Sequence, residues 1–148
     1  MLVAMALLAV LAAVVVPSIL RQVGKGDATR VASDLRSISD AAQSYYSENW
    51  VWPDSLNKLV VTTGSEPYLD LPQFVSGDSL TTGGKGHIRN RFVREGSSVY
   101  LTVSGLSRSV ALKVDSLVDG ASSFNPSAGR VQFNPARDPV RNFKYYIH

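Results

Sequence analysis

MLVAMALLAVLAAVVVPSILRQVGKGDATRVASDLRSISDAAQSYYSEN, residues 1–49 of this 148-residue chain, decides the fold. Met1 to Val16 carries no polar side chain, Pro17 and Ser18 interrupt the run, Ile19 and Leu20 resume it, and Arg21 is the first charge. A bilayer-spanning helix takes about 20 apolar residues, so Met1–Leu20 lies at the lower edge of that length. Beyond Gly24-Lys25-Gly26, which predicts a soft spot, Ala28, Val31, Leu35, Ile38, Ala42 and Tyr45 recur every three or four residues. That is one face of a helix, and Asp27 is suited to cap its start. The other face holds Arg30, Asp34, Arg36, Asp40 and Ser44. Arg30/Asp34 and Arg36/Asp40 have the i,i+4 spacing of ion pairs worth about 0.2–0.5 kcal/mol each, so packing has to order this half. Met1 to Trp50 therefore reads as one rod of roughly 75 Å at about 1.5 Å per residue. Residues 1–26 form its hydrophobic segment; residues 27–148 form a globular head that includes the amphipathic half of the rod.

Three roles compete for so apolar a segment. A secretory signal peptide opens on positive charge and ends in a small-residue cleavage site. No positive residue precedes the run here, and Val14-Val15-Val16-Pro17 is no such site. A plain anchor is followed by a Gly-, Ser- or Pro-rich linker, whereas this chain enters a second helical pattern almost at once. The third role is a helix buried twice, in lipid before use and among neighbouring copies afterwards. Arg21, Lys25 and Arg30 would by the positive-inside rule hold the C-terminal side in the cytoplasm, a conflict that a basic leader upstream of Met1 would remove. Pro17 deletes one i→i−4 bond and crowds the preceding turn, at about 3 kcal/mol in a regular helix. With Gly24 and Gly26 it marks Val14–Gly26 as the place where a filament helix bends, since neighbouring helices can satisfy the freed carbonyl.

The end of the rod is the second informative stretch. In Tyr45-Tyr46-Ser47-Glu48-Asn49-Trp50-Val51-Trp52-Pro53, the proline disfavours helical geometry at Trp52 and stops the helix before it. Asp54 or Ser55 then caps a short helix presenting Leu56, Leu59 and Val60. Leu35, Ile38, Ala42, Tyr45, Trp50 and Trp52 are assigned to the seam between rod and head.

These two stretches resemble the type IV pilins and the type II secretion pseudopilins. MLVAMALLAVLAAVVVPSILRQ is similar to the family's N-terminal helix, which follows a Phe-Thr-Leu-Ile-Glu-like start and has a proline near its end. Pro17 takes that proline's place if the chain starts just after the family's glutamate; the glutamate and the glycine used by prepilin peptidase would then lie upstream of Met1. The Tyr45–Leu59 stretch is similar to the family's helix-ending tyrosine, Asn-Gly, Tyr-Pro and Leu-x-x-Leu turn, with Trp50 in the glycine's place and Trp52 in the tyrosine's. Leu117-Val118-Asp119-Gly120 and Gly129-Arg130-Val131 are similar to minor-pilin heads. The resemblance implies a pilin-like α+β fold and a structural, non-enzymatic subunit that forms a helical homopolymer, as a surface pilus or a periplasmic pseudopilus. It implies a filament core and membrane span built from Met1, Leu2, Val3, Met5, Leu7, Leu8, Leu11, Val14, Val15, Pro17, Ile19 and Leu20. The implied partners are the inner membrane before assembly, an assembly platform and prepilin peptidase. The competing reading is a single-span anchored binding or sensor domain that never polymerises.

In the rest of the head, Val61 to Gly86 reads as a long loop, of the kind that is functional or mobile in compact domains. Ile88–Arg94 and Ser98–Ser104 alternate as strands joined by a Glu95-Gly96-Ser97 turn. Ser107–Asp119 reads as a helix closed by Gly120, although Val110, Leu112 and Val114 also alternate as in a strand. Arg130–Phe133 and Asn142–Ile147 are short strands around Asn134-Pro135 and Asp138-Pro139 turns. A long helix on a small antiparallel sheet is α+β.

Composition adds exclusions. The chain has no cysteine, hence no disulfide, thiol nucleophile or thiolate site, and its net charge of +3 does not by itself demand nucleic acid. His87 and His148 have no partner at metal-ligand spacing. Gly105-Leu106-Ser107-Arg108-Ser109 lacks the second glycine of a nucleophile elbow, and neither Gly83-Gly84-Lys85-Gly86 nor Gly24-Lys25-Gly26 is a phosphate loop. No cofactor is expected. Asp115, Asp119 and Asn125 offer oxygens to calcium, but read better as solvated helix charges. Lys85, Arg89, Arg91 and Arg94 cluster around the first strand: they either blunt a sheet edge or touch a nucleic-acid phosphate backbone.

Overall fold

The computed structural model describes residues 2–60, 66–69, 79–120 and 126–148, with side chains described from residue 24 onward. Helix α1 (Leu2–Asn49) is continuous over 48 residues, about 72 Å at the usual rise. The break expected at Gly24-Lys25-Gly26 is absent, and Asp27 lies inside the helix rather than capping it. A glycine in a helix interior costs about 1 kcal/mol, and the packing that starts at these residues outweighs it. The Ala28 side chain is fully buried, and the Asp27 carbonyl faces Gly83 so closely that a Cβ there would sit 2.4 Å from its oxygen.

From there Ala28, Val31, Ala32, Leu35, Ile38, Ala41 and Ala42 form the buried stripe of α1, joined by the polar Ser39. On the outer face, Arg36 does not pair with Asp40; its Nη2 donates to the Leu117 carbonyl at 2.7 Å. Asp34 accepts from the Thr82 hydroxyl. Both charges serve to join segments rather than to decorate the helix.

α1 ends where Trp50 takes a left-handed φ of 57° and donates its N–H to the Tyr46 carbonyl at 2.8 Å. This is the αL closure usually given to glycine. Trp50, expected at the seam, is instead 79% exposed, because the αL turn sends its side chain away from the head. Short helix α2 (Asn57–Val60) buries Leu59 beside Leu56. Its Asn57 N–H is met by the Asn90 amide oxygen from a neighbouring strand. The Asp54 carboxylate expected to cap it binds Lys58 at 2.7 Å.

The sheet contains β1 (Ser79–Thr81), β2 (His87–Glu95), β3 (Ser98–Ser104), β4 (Val131–Gln132) and β5 (Phe143–Tyr146). The order is β1-β2-β3-β5-β4 with antiparallel pairing throughout. β1 and a 3-10 turn at Gly83–Lys85 stand inside the stretch read as loop; residues 61–65 and 70–78 of that stretch lie outside the described residues. Leu80, Ile88, Phe92, Leu101, Val103, Val131, Phe143 and Tyr145 point inward and join the α1 stripe in one core. Helix α3 (Arg108–Asp119) resolves the helix–strand ambiguity over this stretch. Ser107 Oγ accepts from the Val110 N–H, and Val110, Ala111 and Val114 are buried. α3 packs against α1.

The contrast between the stripe and the exposed cap is measurable in the full chain held in detergent. Ile38→Ala is expected to lower unfolding stability by about 2–5 kcal/mol, and Trp50→Ala to change it by no more than about 0.5 kcal/mol, both read by circular dichroism in denaturant.

Candidate functional site

The first candidate is the apolar part of α1. Its backbone is helical from Leu2, while the filament-core side chains from Met1 to Leu20 lie outside the described residues. Among the residues described in full, no helix is long and apolar enough to cross a membrane.

The second is the seam at the other end of α1. Leu35, Ile38 and Ala42 are buried, and Tyr45 and Trp52 pack partly buried against the core. Tyr45 meets Tyr68 edge-on at 5.4 Å, Tyr46 stacks on Trp52 at 4.5 Å, and Trp52 faces the His148 ring at 5.9 Å. The Tyr68 hydroxyl donates to Glu48, and that bond to a carboxylate raises the phenol's pKa. The hydrogen bond with Lys58, followed by the lysine's charge, holds the Asp54 carboxyl below its usual range and raises Lys58 in return.

The third is a groove of about 840 Å³ on the sheet, lined by Asp54, Ser55, Ser79, His87, Arg89, Asn90, Arg91 and Ser104. Strand register builds it: Ser79 lies opposite Arg89, and His87 lies opposite Ser104. Alternation along β2 exposes His87, Arg89 and Arg91 while burying Ile88 and Phe92. A register shift between Ile88 and Phe92 bends the strand there. Of the four cations singled out in the sequence, the fold brings Arg89 and Arg91 together in this groove. Arg94 is drawn to its rim, with Nη2 on the Trp52 carbonyl and an Asp54 oxygen at 3.5 Å. Lys85 sits on the 3-10 turn and does not line the groove. His87, Ser79 and Ser104 escape sequence reasoning because cross-strand register is needed to place them.

Asp115 requires a correction. It is 1% exposed rather than solvated, and among the described residues neither carboxylate oxygen has a hydrogen-bond partner. Burial, then the like charge of Asp119 one turn on, pushes its pKa up. Asp119 is occupied as well, its two oxygens accepting from the Arg130 and Val131 N–H groups at 3.0 Å each. Asn125 lies outside the described residues. Among the described residues no cluster of His, Asp or Glu could hold a metal ion. The signal was present in the sequence: Asp115 stands four residues after Ala111, on the apolar side of α3.

A carboxyl whose folded pKa exceeds its unfolded value disfavours the folded state once ionised. Its cost is absent below the unfolded pKa, grows as pH rises above it and levels off above the folded one. Asp115→Asn, which removes the charge and keeps the shape, is therefore expected to match the parent's melting temperature near pH 3.5. As pH rises above the ordinary aspartate range it should exceed the parent by a margin that widens and then levels off, as checked by thermal melts up to neutral pH.

Comparison with protein-family models, with curated proteins and with solved structures finds no match to this chain.

Proposed function

We propose that this chain is a structural subunit of a type IV pilus-like filament, with a pilin-like fold, and that it assembles through its hydrophobic N-terminal helix. One observation carries the reading. A single unbroken helix joins a segment with no polar residue from Met1 to Val16 to a stripe that is an integral part of the head's core. An anchor that only tethers a domain needs no such continuity; a flexible linker serves it equally well. A filament subunit needs it, because the head's position in the lattice is set by the helix that packs in the middle.

The mechanism is non-covalent. Residues 2–23 of α1 extend about 33 Å at the helical rise, close to the thickness of a bilayer's hydrocarbon core. Before assembly Met1–Leu20 rests in the inner membrane. On assembly it exchanges lipid for the same segment of neighbouring copies, at little cost because each surroundings is apolar. The assembly platform and prepilin peptidase belong to this reading, as does export of the head to the cell surface or the periplasm. Arg36 on the Leu117 carbonyl and Asp34 on Thr82 keep the head in register with the helix during the transfer.

The test is mass spectrometry of filaments sheared from the native cells, alongside a Leu11→Asp variant. The protein is expected in the sheared fraction, and the variant is expected to be lost from it while its head still folds, since a charge at mid-helix costs about 2.5–3.5 kcal/mol in an apolar surround. Retention of the parent in the membrane fraction, with none in sheared material, rejects the filament and supports the anchored, non-polymerising domain.

A further inference from the structure

We propose that the cleft between α1 and α3, beside the end of the apolar segment, holds the phosphate headgroup of an anionic phospholipid. The proposal rests on the reading that Met1–Leu20 lies in a bilayer, and adds to it a lipid of defined charge. The cleft has a volume of about 290 Å³ and is lined by Lys25, Ala28, Thr29, Lys113, Ser116 and Leu117. That volume is at the lower edge of small-ligand sites, which suits a headgroup whose acyl chains stay in the membrane.

Position is the first argument. Lys25 stands about 7.5 Å along the helix from Leu20 at the usual rise. The headgroup layer is about 5–8 Å thick on each side of the hydrocarbon, so this lysine is level with the lipid phosphates. Lys113 comes to the same level from the other helix: a Cβ on Gly24 would lie 3.4 Å from its Nζ. Gly24 therefore leaves that ammonium room to lie against α1. Leu117, one turn further along α3, is tied through its carbonyl to Arg36 at 2.7 Å, so α3 turns its Lys113 end toward the membrane.

Charge and surroundings are the second argument. Among the described residues neither Lys25 nor Lys113 forms an ion pair. No carboxylate lines the cleft, and Asp27, two residues past Lys25, faces the Gly83–Lys85 turn instead. Lysine is a compact charge on a long apolar stem, and Ala28 and Leu117 give the stems an apolar wall. Thr29 Oγ1 already donates to the Lys25 carbonyl at 3.0 Å, so toward a headgroup hydroxyl it acts as acceptor, while Ser116 adds a hydroxyl. Leu117 is 46% exposed, and an exposed leucine beside unpaired lysines has the mixed character of a membrane interface. Lys25, one of the cations that run against the positive-inside rule, thereby acquires a partner in the membrane itself.

The experiment uses the full chain. Reconstitution in phosphatidylcholine vesicles followed by alkaline extraction tests the span: a parent released by alkali overturns the membrane reading and this proposal with it. Native mass spectrometry in neutral detergent, titrated with dioctanoyl phosphatidylglycerol or dioctanoyl phosphatidylcholine, tests the cleft. Each lysine near an anionic lipid contributes a factor of about 5, so the parent is expected to hold one phosphatidylglycerol about 30-fold more tightly than phosphatidylcholine. Lys25→Gln with Lys113→Gln should lose most of that preference at an unchanged melting temperature. Arg89→Ala with Arg91→Ala, which removes as much charge elsewhere, should keep it. A parent that resists extraction yet shows no preference, or two variant pairs that lower it equally, overturns the cleft and leaves the span standing. Glycerol 3-phosphate that displaces the lipid at equal concentration overturns the lipid as the source of the phosphate.

Discussion

The head exists because the stripe of α1 from Ala28 to Ala42 has somewhere to go. Without cysteine, no disulfide helps to hold the chain together. Four of the stripe's buried residues are alanines, and small side chains let α3 and the Gly83–Lys85 turn come close. The larger Val31, Leu35 and Ile38 then fill the space beneath the sheet, each contributing about 1.5–3 kcal/mol by leaving water. Gly83 is the tightest point of this arrangement: its lack of a Cβ is what allows the turn to rest on the Asp27 backbone. Displace α1 and the sheet's inner face, from Leu80 to Tyr145, loses its cover.

That constraint also explains which parts of the fold were legible in the sequence. Period 3.6 in Ala28–Tyr45 is the imprint of burial on one side; period 2 in Val99–Val103 marks a strand whose other face also buries Tyr100; both elements stand where the pattern puts them. α3 was ambiguous by alternation alone, but Ser107 at its head and the buried Val110, Ala111 and Val114 fit a helix only. The misses have a common physical origin in long-range packing. Glycine propensity predicted a soft spot at residues 24–26, yet contacts from Gly83 and α3 outweighed a local cost of about 1 kcal/mol per glycine. β1 is three residues long and pairs with β2 across an intervening turn, so it leaves almost no local signal.

The groove shows the same limit from the side of function. Arg89 and Arg91 were visible as a basic pair, but their company was not. Register decides that Ser79 and Ser104 flank them, and a bulge between Ile88 and Phe92 shifts that register in a way alternation cannot foretell. Arg94 was indistinguishable from its neighbours in sequence until Asp54 and the Trp52 carbonyl claimed it. Asp115 was misread because a carboxylate on a helix is usually solvated; here the helix is rotated so that its Ala111–Asp115 side faces inward.

The two faces of the sheet divide the labour. One face is committed to α1 and is apolar because the helix covers it. The other carries His87, Arg89 and Arg91 and takes no part in the core.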